Sequence, residues 1–247
     1  MLVPIEIKAN IEGDVAAALA VLGDPTPESK RSIWFVEDRE GARSGLLPFL
    51  KQGIILRIRS GGAQDDSTVK LRPVEGRALP VQWSKSFKRK PLEYRIEGDW
   101  SGERRVLAAS AVVEHAQDSL AAVVGTGSLD RVFTPDQRQF VSECAAVDIV
   151  SDHLVLLGPI GSTKWQNLRI GSLDDIDAER WTVAGLDFLE LSIRVKRKDD
   201  ETPVEYERRS ERAQRSLLAA IDRVGLQVSS DPENKTKRVL EAMAGDV

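Results

Sequence analysis

The sequence is poor in the residues that build disulfides and soft metal sites. It has a single cysteine, Cys144, and two histidines, His115 and His153, which excludes an internal disulfide and argues against a histidine-based metal centre. The net charge is −4 and the pI is near 5.5, so no global positive field attracts nucleic acid or an anionic membrane. No apolar run reaches the length that spans a bilayer. We therefore expect a cytoplasmic protein with no nucleic-acid or membrane partner.

The 247 residues, 41% hydrophobic and 30% charged, have the composition of a globular protein with a substantial core. Strand-like patterns occur at 1–100 and again at 150–198. Alanine-rich segments at about 104–147 favour a helical insertion, and two further helices are predicted at about 202–245. Strands at both ends of the chain, with helices between and after them, predict one α+β domain over residues 1–247.

Segment 53–73, GIILRIRSGGAQDDSTVKLRP, predicts a β-hairpin with its cations on one face. Side chains alternate along a strand, so Arg57 and Arg59 point away from the neighbouring Leu and Ile side chains. Lys70 does the same on the second strand, and the connection is rich in Gly, Asp and Ser. Taken alone, this pattern favours an ordinary hairpin whose charged face meets water.

The same alternation recurs in distant strands. Near the N-terminus Glu6 and Lys8 lie opposite isoleucines, and the segment LDFLELSIRVKRK places Glu190 and Ser192 opposite an apolar row. A barrel whose outside is packed by helices turns such polar faces inward. Buried charges are costly unless they serve each other or a ligand, so the repeated pattern favours a charged interior that binds something.

The order of these motifs resembles that of the CYTH superfamily, also called triphosphate tunnel metalloenzymes. The chain begins with a strand that contains Glu-x-Lys and continues with GIILRIR, STVKLRP and finally LDFLELS before C-terminal helices. The similarity covers roughly residues 3 to 225. It implies an antiparallel eight-stranded β-tunnel or barrel flanked by helices, binding a triphosphate-containing small molecule together with Mg²⁺ or Mn²⁺. Activities in the superfamily include thiamine triphosphatase, inorganic triphosphatase, adenylate cyclase and RNA triphosphatase.

The resemblance also implies roles for individual residues. Arginine guanidinium groups bind phosphate oxygens in a planar fork, and lysine adds a mobile point charge. Carboxylates on the first and last strands of the superfamily hold the metal. The substrate ligands carried over to this chain are Lys8, Arg57, Arg59, Lys70, Arg95 and Lys164, and the metal ligands are Glu6 and Glu190.

Two departures from the superfamily pattern concern the metal. Pro4 stands where the first glutamate of Glu-x-Glu-x-Lys is expected, and Ser192 stands where the last strand usually has a second glutamate. Mg²⁺ prefers several carboxylate oxygens, so these changes weaken a metal site while leaving the cations in place.

Three functions are therefore open. The first is a metal-dependent phosphohydrolase with weak activity on an inorganic or organic triphosphate. The second is a non-catalytic module that binds a nucleotide or polyphosphate. The third is an interaction protein that uses the barrel only as a scaffold, although this does not explain why inward cations are retained. The sequence identifies neither the particular triphosphate nor the oligomeric state.

Overall fold

The computed structural model describes residues 3–76, 79–127, 129–230 and 235–245. Within these residues it contains ten strands and seven α-helices. The strands are β1 (Ile5–Ile11), β2 (Ser29–Asp38), β3 (Ile54–Ser60), β4 (Asp65–Leu71), β5 (Phe87–Arg89), β6 (Leu92–Ser101), β7 (Arg104–His115), β8 (Leu154–Ile170), β9 (Leu173–Val183) and β10 (Leu186–Val195). The helices are α1 (Val15–Val21), α2 (Arg39–Arg43), α3 (Pro48–Lys51), α4 (Ser119–Thr126), α5 (Pro135–Ala145), α6 (Pro203–Arg223) and α7 (Lys235–Met243).

Hydrogen bonds join the strands in the order β1-β10-β9-β8-β2-β3-β4-β7-β6-β5, and β1 also pairs with β6. Nine strands thus form a closed cycle, the connectivity of a β-barrel, and β5 is attached outside it. The β1–β6 pair is parallel, whereas β1–β10, β9–β10, β2–β3, β3–β4 and β4–β7 are antiparallel. The α+β class and the antiparallel barrel with C-terminal helices are confirmed, with nine strands in the cycle where the resemblance implied eight.

The prediction of a helical insertion over about 104–147 is wrong in its first part. Residues Arg104–His115 form strand β7, which pairs along β4 from Asp65↔His115 to Leu71↔Ala109. The alanines of this segment favour a helix on intrinsic propensity alone, but pairing with a neighbouring strand overrides such a preference. The later part of the insertion contains the two helices α4 and α5.

Helix α5 begins with a capping box. The side chain of Thr134 accepts a hydrogen bond from the backbone N–H of Gln137, and the side chain of Gln137 accepts one from the backbone N–H of Thr134. Pro135 follows the cap directly, and proline is well suited to the first helical position.

We expect the Thr134→Ala variant to lose about 1 kcal/mol of stability, because one orphan N–H of the first turn loses its acceptor. Thermal unfolding should show a fall in melting temperature of roughly 2–4 °C. Thr134→Ser keeps the hydroxyl and should stay close to the unmodified protein. An equal loss in the serine and alanine variants would show that the methyl group, not the cap, stabilises this helix start.

The described residues group into two compact units, and each is described by itself. The first unit comprises the described residues of Met1–Lys30, Glu97–Arg105 and Ser162–Lys235. The second comprises those of Arg31–Ile96, Val106–Gly161 and Thr236–Val247. The organisation as a single domain stays a prediction.

The core of the first unit lies between its strands and helices α1 and α6. Ile7 on β1 and Leu191 on β10 are 1% and 0% exposed, and Leu217 and Ile221 of α6 belong to the same buried cluster. On β1 every second residue is buried, as the alternation of its sequence predicts. This burial fixes the opposite face of β1, which carries Glu6 and Lys8.

The second unit contains a cluster of packed aromatic rings. The ring centroids of Trp83 lie 5.1 Å from those of both Tyr94 and Phe140, and the Tyr94 hydroxyl donates a 2.7 Å hydrogen bond to the carbonyl of Trp83. Tilted and edge-on pairs of this kind add stability beyond the area that they bury.

Within the described part of the chain, no helix combines the length and the apolar character needed to cross a membrane.

Candidate functional site

The hairpin cations of the second unit are brought together on one face of β3 and β4. The register pairs Arg57 with Thr68 and Arg59 with Asp66, and directly paired residues of antiparallel strands lie on the same face. Lys70, two residues beyond Thr68, shares that face of β4. Arg31 reaches the same place from β2. We call the group of Arg31, Arg57, Arg59 and Lys70 the basic cluster.

Asp66 is the internal counter-ion of the basic cluster. The Nε of Arg59 lies 2.8 and 3.0 Å from its two carboxylate oxygens, and Nη1 of Arg31 lies 3.0 Å from Oδ2. Burial alone would raise the pKa of Asp66, but the surrounding arginines, Arg59 and Arg57 foremost, outweigh burial and lower this pKa. Asp66 is therefore ionised at neutral pH, and it neutralises part of the positive charge.

Thr68 links Arg57 to the same carboxylate. Its hydroxyl donates a 3.2 Å hydrogen bond to Asp66, and Nη2 of Arg57 lies 3.5 Å from the hydroxyl oxygen. The contact from Arg57 is at the long limit of a hydrogen bond. Three arginines thus gather around one carboxylate, an arrangement that suits an anionic ligand.

The first unit contains a group of opposite character, in which carboxylates outnumber cations. It lies on β1, β6, β9 and β10, together with the first residue of α7. We call it the acidic cluster: the carboxylates of Glu6, Glu97, Asp99, Glu179 and Glu190, with the cations Lys8, Arg194 and Lys235.

Lys8, a predicted phosphate ligand, is surrounded by carboxylates in this structure. Its Nζ lies 2.9 Å from Glu6 and 3.4 Å from Asp99. Burial by itself would lower the pKa of Lys8, but the carboxylates, Glu6 foremost, more than compensate and raise this pKa above its ordinary value. Lys8 therefore stays charged and serves as a counter-ion to Glu6. Arg194 adds a second, weaker contact to Glu6 at 3.6 Å.

Lys235 is the counter-ion of Glu190, the other predicted metal ligand, and also of Glu179. Its Nζ lies 3.0 Å from Glu179 and 3.3 Å from Glu190, and 4.0 Å from the centroid of the Trp181 ring. Burial would raise the pKa of Glu179, yet the attraction of Lys235 and the hydrogen bonds that Glu179 accepts lower this pKa far below its usual range. One of those hydrogen bonds comes from the Ser162 hydroxyl at 2.9 Å.

Arg95 and Lys164 have acidic partners of their own. Arg95 of β6 binds Glu93 with an N–O distance of 2.7 Å, and Lys164 of β8 binds Asp177 at 3.1 Å. Arg95 belongs to the second unit and Lys164 to the first. Their assignment as substrate ligands stays a prediction.

The structure thus brings the sequence-predicted residues together as two sets, each inside one unit. Arg57, Arg59 and Lys70 share the basic cluster. Glu6, Lys8 and Glu190 share the acidic cluster. Their roles as ligands remain predictions, and residues that the sequence analysis had not singled out stand beside them: Arg31, Asp66, Asp99, Glu179, Trp181, Arg194 and Lys235.

The carboxylates of the acidic cluster fit a divalent metal poorly as they are arranged. Both Glu6 and Glu190 hold lysine ammonium groups within salt-bridge distance. Among the described residues, no group of three or more His, Cys, Asp or Glu side chains is arranged to hold a metal ion. Binding of the implied Mg²⁺ or Mn²⁺ therefore stays a prediction. Its predicted ligands, Glu6 and Glu190, are both paired with lysine side chains.

Two solved structures have a similar fold. A candidate adenylyl cyclase from Hippeastrum, described as having a dominant triphosphatase activity, has a TM-score of 0.57 at 15% identity, covering 96% of this chain and 94% of that chain. A candidate adenylate cyclase from Bacillus halodurans has a TM-score of 0.55 at 13% identity, covering 96% and 97%. No family model and no curated protein matches the sequence. At such identities the similarity establishes the fold alone: this chain shares the fold of these two structures.

Proposed function

We propose that this chain binds a triphosphate-containing small molecule through the basic cluster. The observation that carries the proposal is the placement of Arg57 and Arg59 close together on β3, beside Lys70 on β4 and around the carboxylate of Asp66. Guanidinium groups bind phosphate oxygens through charge-assisted hydrogen bonds, which are roughly twice as strong as neutral ones.

A triphosphate suits this cluster better than a single phosphate does. Its chain of anionic oxygens can engage several cations at once, whereas inorganic phosphate can satisfy only a few of them. The fold similarity to a protein described as having a dominant triphosphatase activity supports the same ligand class. The ligand has to compete with Asp66 for Arg59 and Arg31, so its several charges must outweigh one internal carboxylate.

Hydrolysis of the bound triphosphate is a second candidate function, which the similarity to the Hippeastrum protein favours. The ion-paired state of Glu6 and Glu190 favours binding over hydrolysis, because a metal ion would have to displace lysine ammonium groups from both. We propose that turnover is slow. Phosphate release measured over time, with and without a chelator, tests this directly, and fast chelator-sensitive release would establish the phosphohydrolase instead.

We expect tripolyphosphate to bind the unmodified protein in the presence of EDTA, with an affinity that falls steeply as salt concentration rises. The reason is that charge pairs at the basic cluster are partly exposed and are weakened by screening. Isothermal titration calorimetry at several NaCl concentrations measures this, with pyrophosphate and inorganic phosphate as shorter comparison ligands.

Affinity should decrease in the order tripolyphosphate, pyrophosphate, phosphate. If none of the three binds at low salt, the proposed function is wrong. If binding occurs but does not respond to salt, the interaction is not carried by the basic cluster.

A further inference from the structure

Glu179 and Glu190 lie directly opposite each other on neighbouring strands. The antiparallel register of β9 and β10 pairs the two residues, so their carboxylates project from the same face of the sheet. Like charges placed directly opposite on a sheet are destabilising. Only part of each side chain is exposed, 27% for Glu179 and 17% for Glu190, so solvent cannot fully relieve the repulsion. The pair requires a cation.

The cation present in the structure is the ammonium of Lys235. It reaches both carboxylates, at 3.0 and 3.3 Å, while its side chain is only 5% exposed. A lysine is almost never this buried unless it is paired. Its two acidic partners come from different strands, so the ammonium bridges β9 and β10 at the point where their charges repel.

The surroundings of the ammonium select this kind of cation. The ring of Trp181 lies 4.0 Å from Nζ, and an aromatic face attracts an ammonium through the electrostatic field of the ring. The same face supplies no oxygen atom, whereas Mg²⁺ requires near-octahedral oxygen ligands and gives up its water reluctantly. The Trp181 side of the site therefore favours a lysine ammonium over a small divalent ion.

We propose that Lys235 is the resident cation of the Glu179–Glu190 pair and takes the place that a divalent ion would occupy on Glu190. While Lys235 is seated, these carboxylates need no Mg²⁺ or Mn²⁺, and a metal ion binds them only by displacing the lysine. The proposal concerns the acidic cluster alone. It does not depend on the binding of a triphosphate, and all its tests are made without phosphate compounds.

The test replaces Lys235 with methionine, which has similar length and no charge. Removing one partner of a buried ion pair leaves uncompensated charge, so we expect the melting temperature to fall by about 5 °C or more. Mn²⁺ should restore part of the loss, and electron paramagnetic resonance should detect a bound Mn²⁺ that the unmodified protein lacks. Adding Glu190→Gln to the Lys235→Met variant should abolish this new Mn²⁺ signal.

Lys237→Met provides the matched control. Lys237 lies on the same helix, its side chain is 40% exposed, and it contacts Glu241 at 3.6 Å. The Lys237→Met substitution should leave both the melting temperature and Mn²⁺ binding nearly unchanged. The unmodified protein gives a test that needs no variant: its melting temperature should not respond to Mn²⁺ or EDTA.

Two results would overturn the proposal. One is stabilisation of the unmodified protein by Mn²⁺ that is lost in Glu190→Gln, which would mean that the metal binds with Lys235 in place. The other is a Lys235→Met variant that folds, keeps its melting temperature and acquires no Mn²⁺. If Lys235→Met does not fold, Glu179→Gln in the same background removes one of the unpaired charges and should restore folding.

Discussion

Replacing Arg57 with alanine is expected to weaken tripolyphosphate binding by about tenfold or more. A hydrogen bond to a charged group contributes roughly 1.5–3 kcal/mol, and about 1.4 kcal/mol corresponds to a factor of ten in affinity. Arg57 is a cleaner target than Arg59, because Arg59 also holds Asp66 at 2.8 Å and its removal would leave that carboxylate without its nearest partner.

The measurement is calorimetric titration of tripolyphosphate into both proteins at low salt with EDTA. Arg57→Lys should give an intermediate affinity, because lysine keeps the charge and loses the planar fork.

Arg89→Ala is the matched control for Arg57. It removes the same charge from the second unit, but the Arg89 side chain is 66% exposed and contacts Asp136 at 3.1 Å on the surface. Exposed charges are screened, so its loss should change tripolyphosphate affinity only about two- to threefold. Thermal unfolding of both variants establishes that they are folded. Equal losses of affinity in the two variants would mean that binding follows the total charge and not the basic cluster.

The sequence predicted the parts of the fold that depend on local pattern. Alternation on β1 and β10, and over residues 56–59 of β3, indicated which face of each strand carries the charged side chains. The order of the motifs indicated the barrel, although none of them is specific alone. The error over Arg104–His115 arose because alanine-rich strands and helices have similar composition, and the choice between them is made by pairing with β4.

The site could be predicted only in part, for a different reason. Arg57 and Arg59 are neighbours along the chain, so their grouping is local. Asp66 becomes the partner of Arg59 through the register of the hairpin. Glu179 faces Glu190 through the register of a second hairpin, and Lys235 reaches both from a helix that follows in the sequence. No local pattern marks Asp66, Glu179 and Lys235, because their roles depend on tertiary packing.

Each unit holds its predicted ligands in a charge-paired state. In the second unit Asp66 pairs with both Arg59 and Arg31 and neutralises part of their charge. In the first unit Lys8 neutralises Glu6, and Lys235 neutralises Glu190. Unpaired charges in partly buried positions are costly, and these internal pairs remove that cost when no ligand is bound. A ligand must then bind by exchanging one ion pair for another, so its net affinity is smaller than its contacts alone suggest.

Neutralising Asp66 is therefore expected to strengthen ligand binding and weaken the fold at once. In Asp66→Asn the arginines lose their internal competitor, so tripolyphosphate affinity should rise by about tenfold. Removing one partner of a largely buried network should lower stability by roughly 3 kcal/mol. Because a ligand stabilises the folded state by mass action, a fixed concentration of tripolyphosphate should raise the melting temperature of the variant more than that of the unmodified protein.

The pH dependence gives this prediction a second readout. The pKa of Asp66 is lowered in the folded state, so its contribution to stability is present above the unfolded pKa of about 3.9 and is lost as pH falls through the lower folded pKa. The difference in melting temperature between the unmodified protein and Asp66→Asn should thus be largest near neutral pH and shrink below about pH 4. Asp136→Asn, on the surface, should show neither the gain in affinity nor this pH profile. A folded Asp66→Asn variant that binds tripolyphosphate more weakly would show that Asp66 positions the arginines for the ligand and does not compete with it.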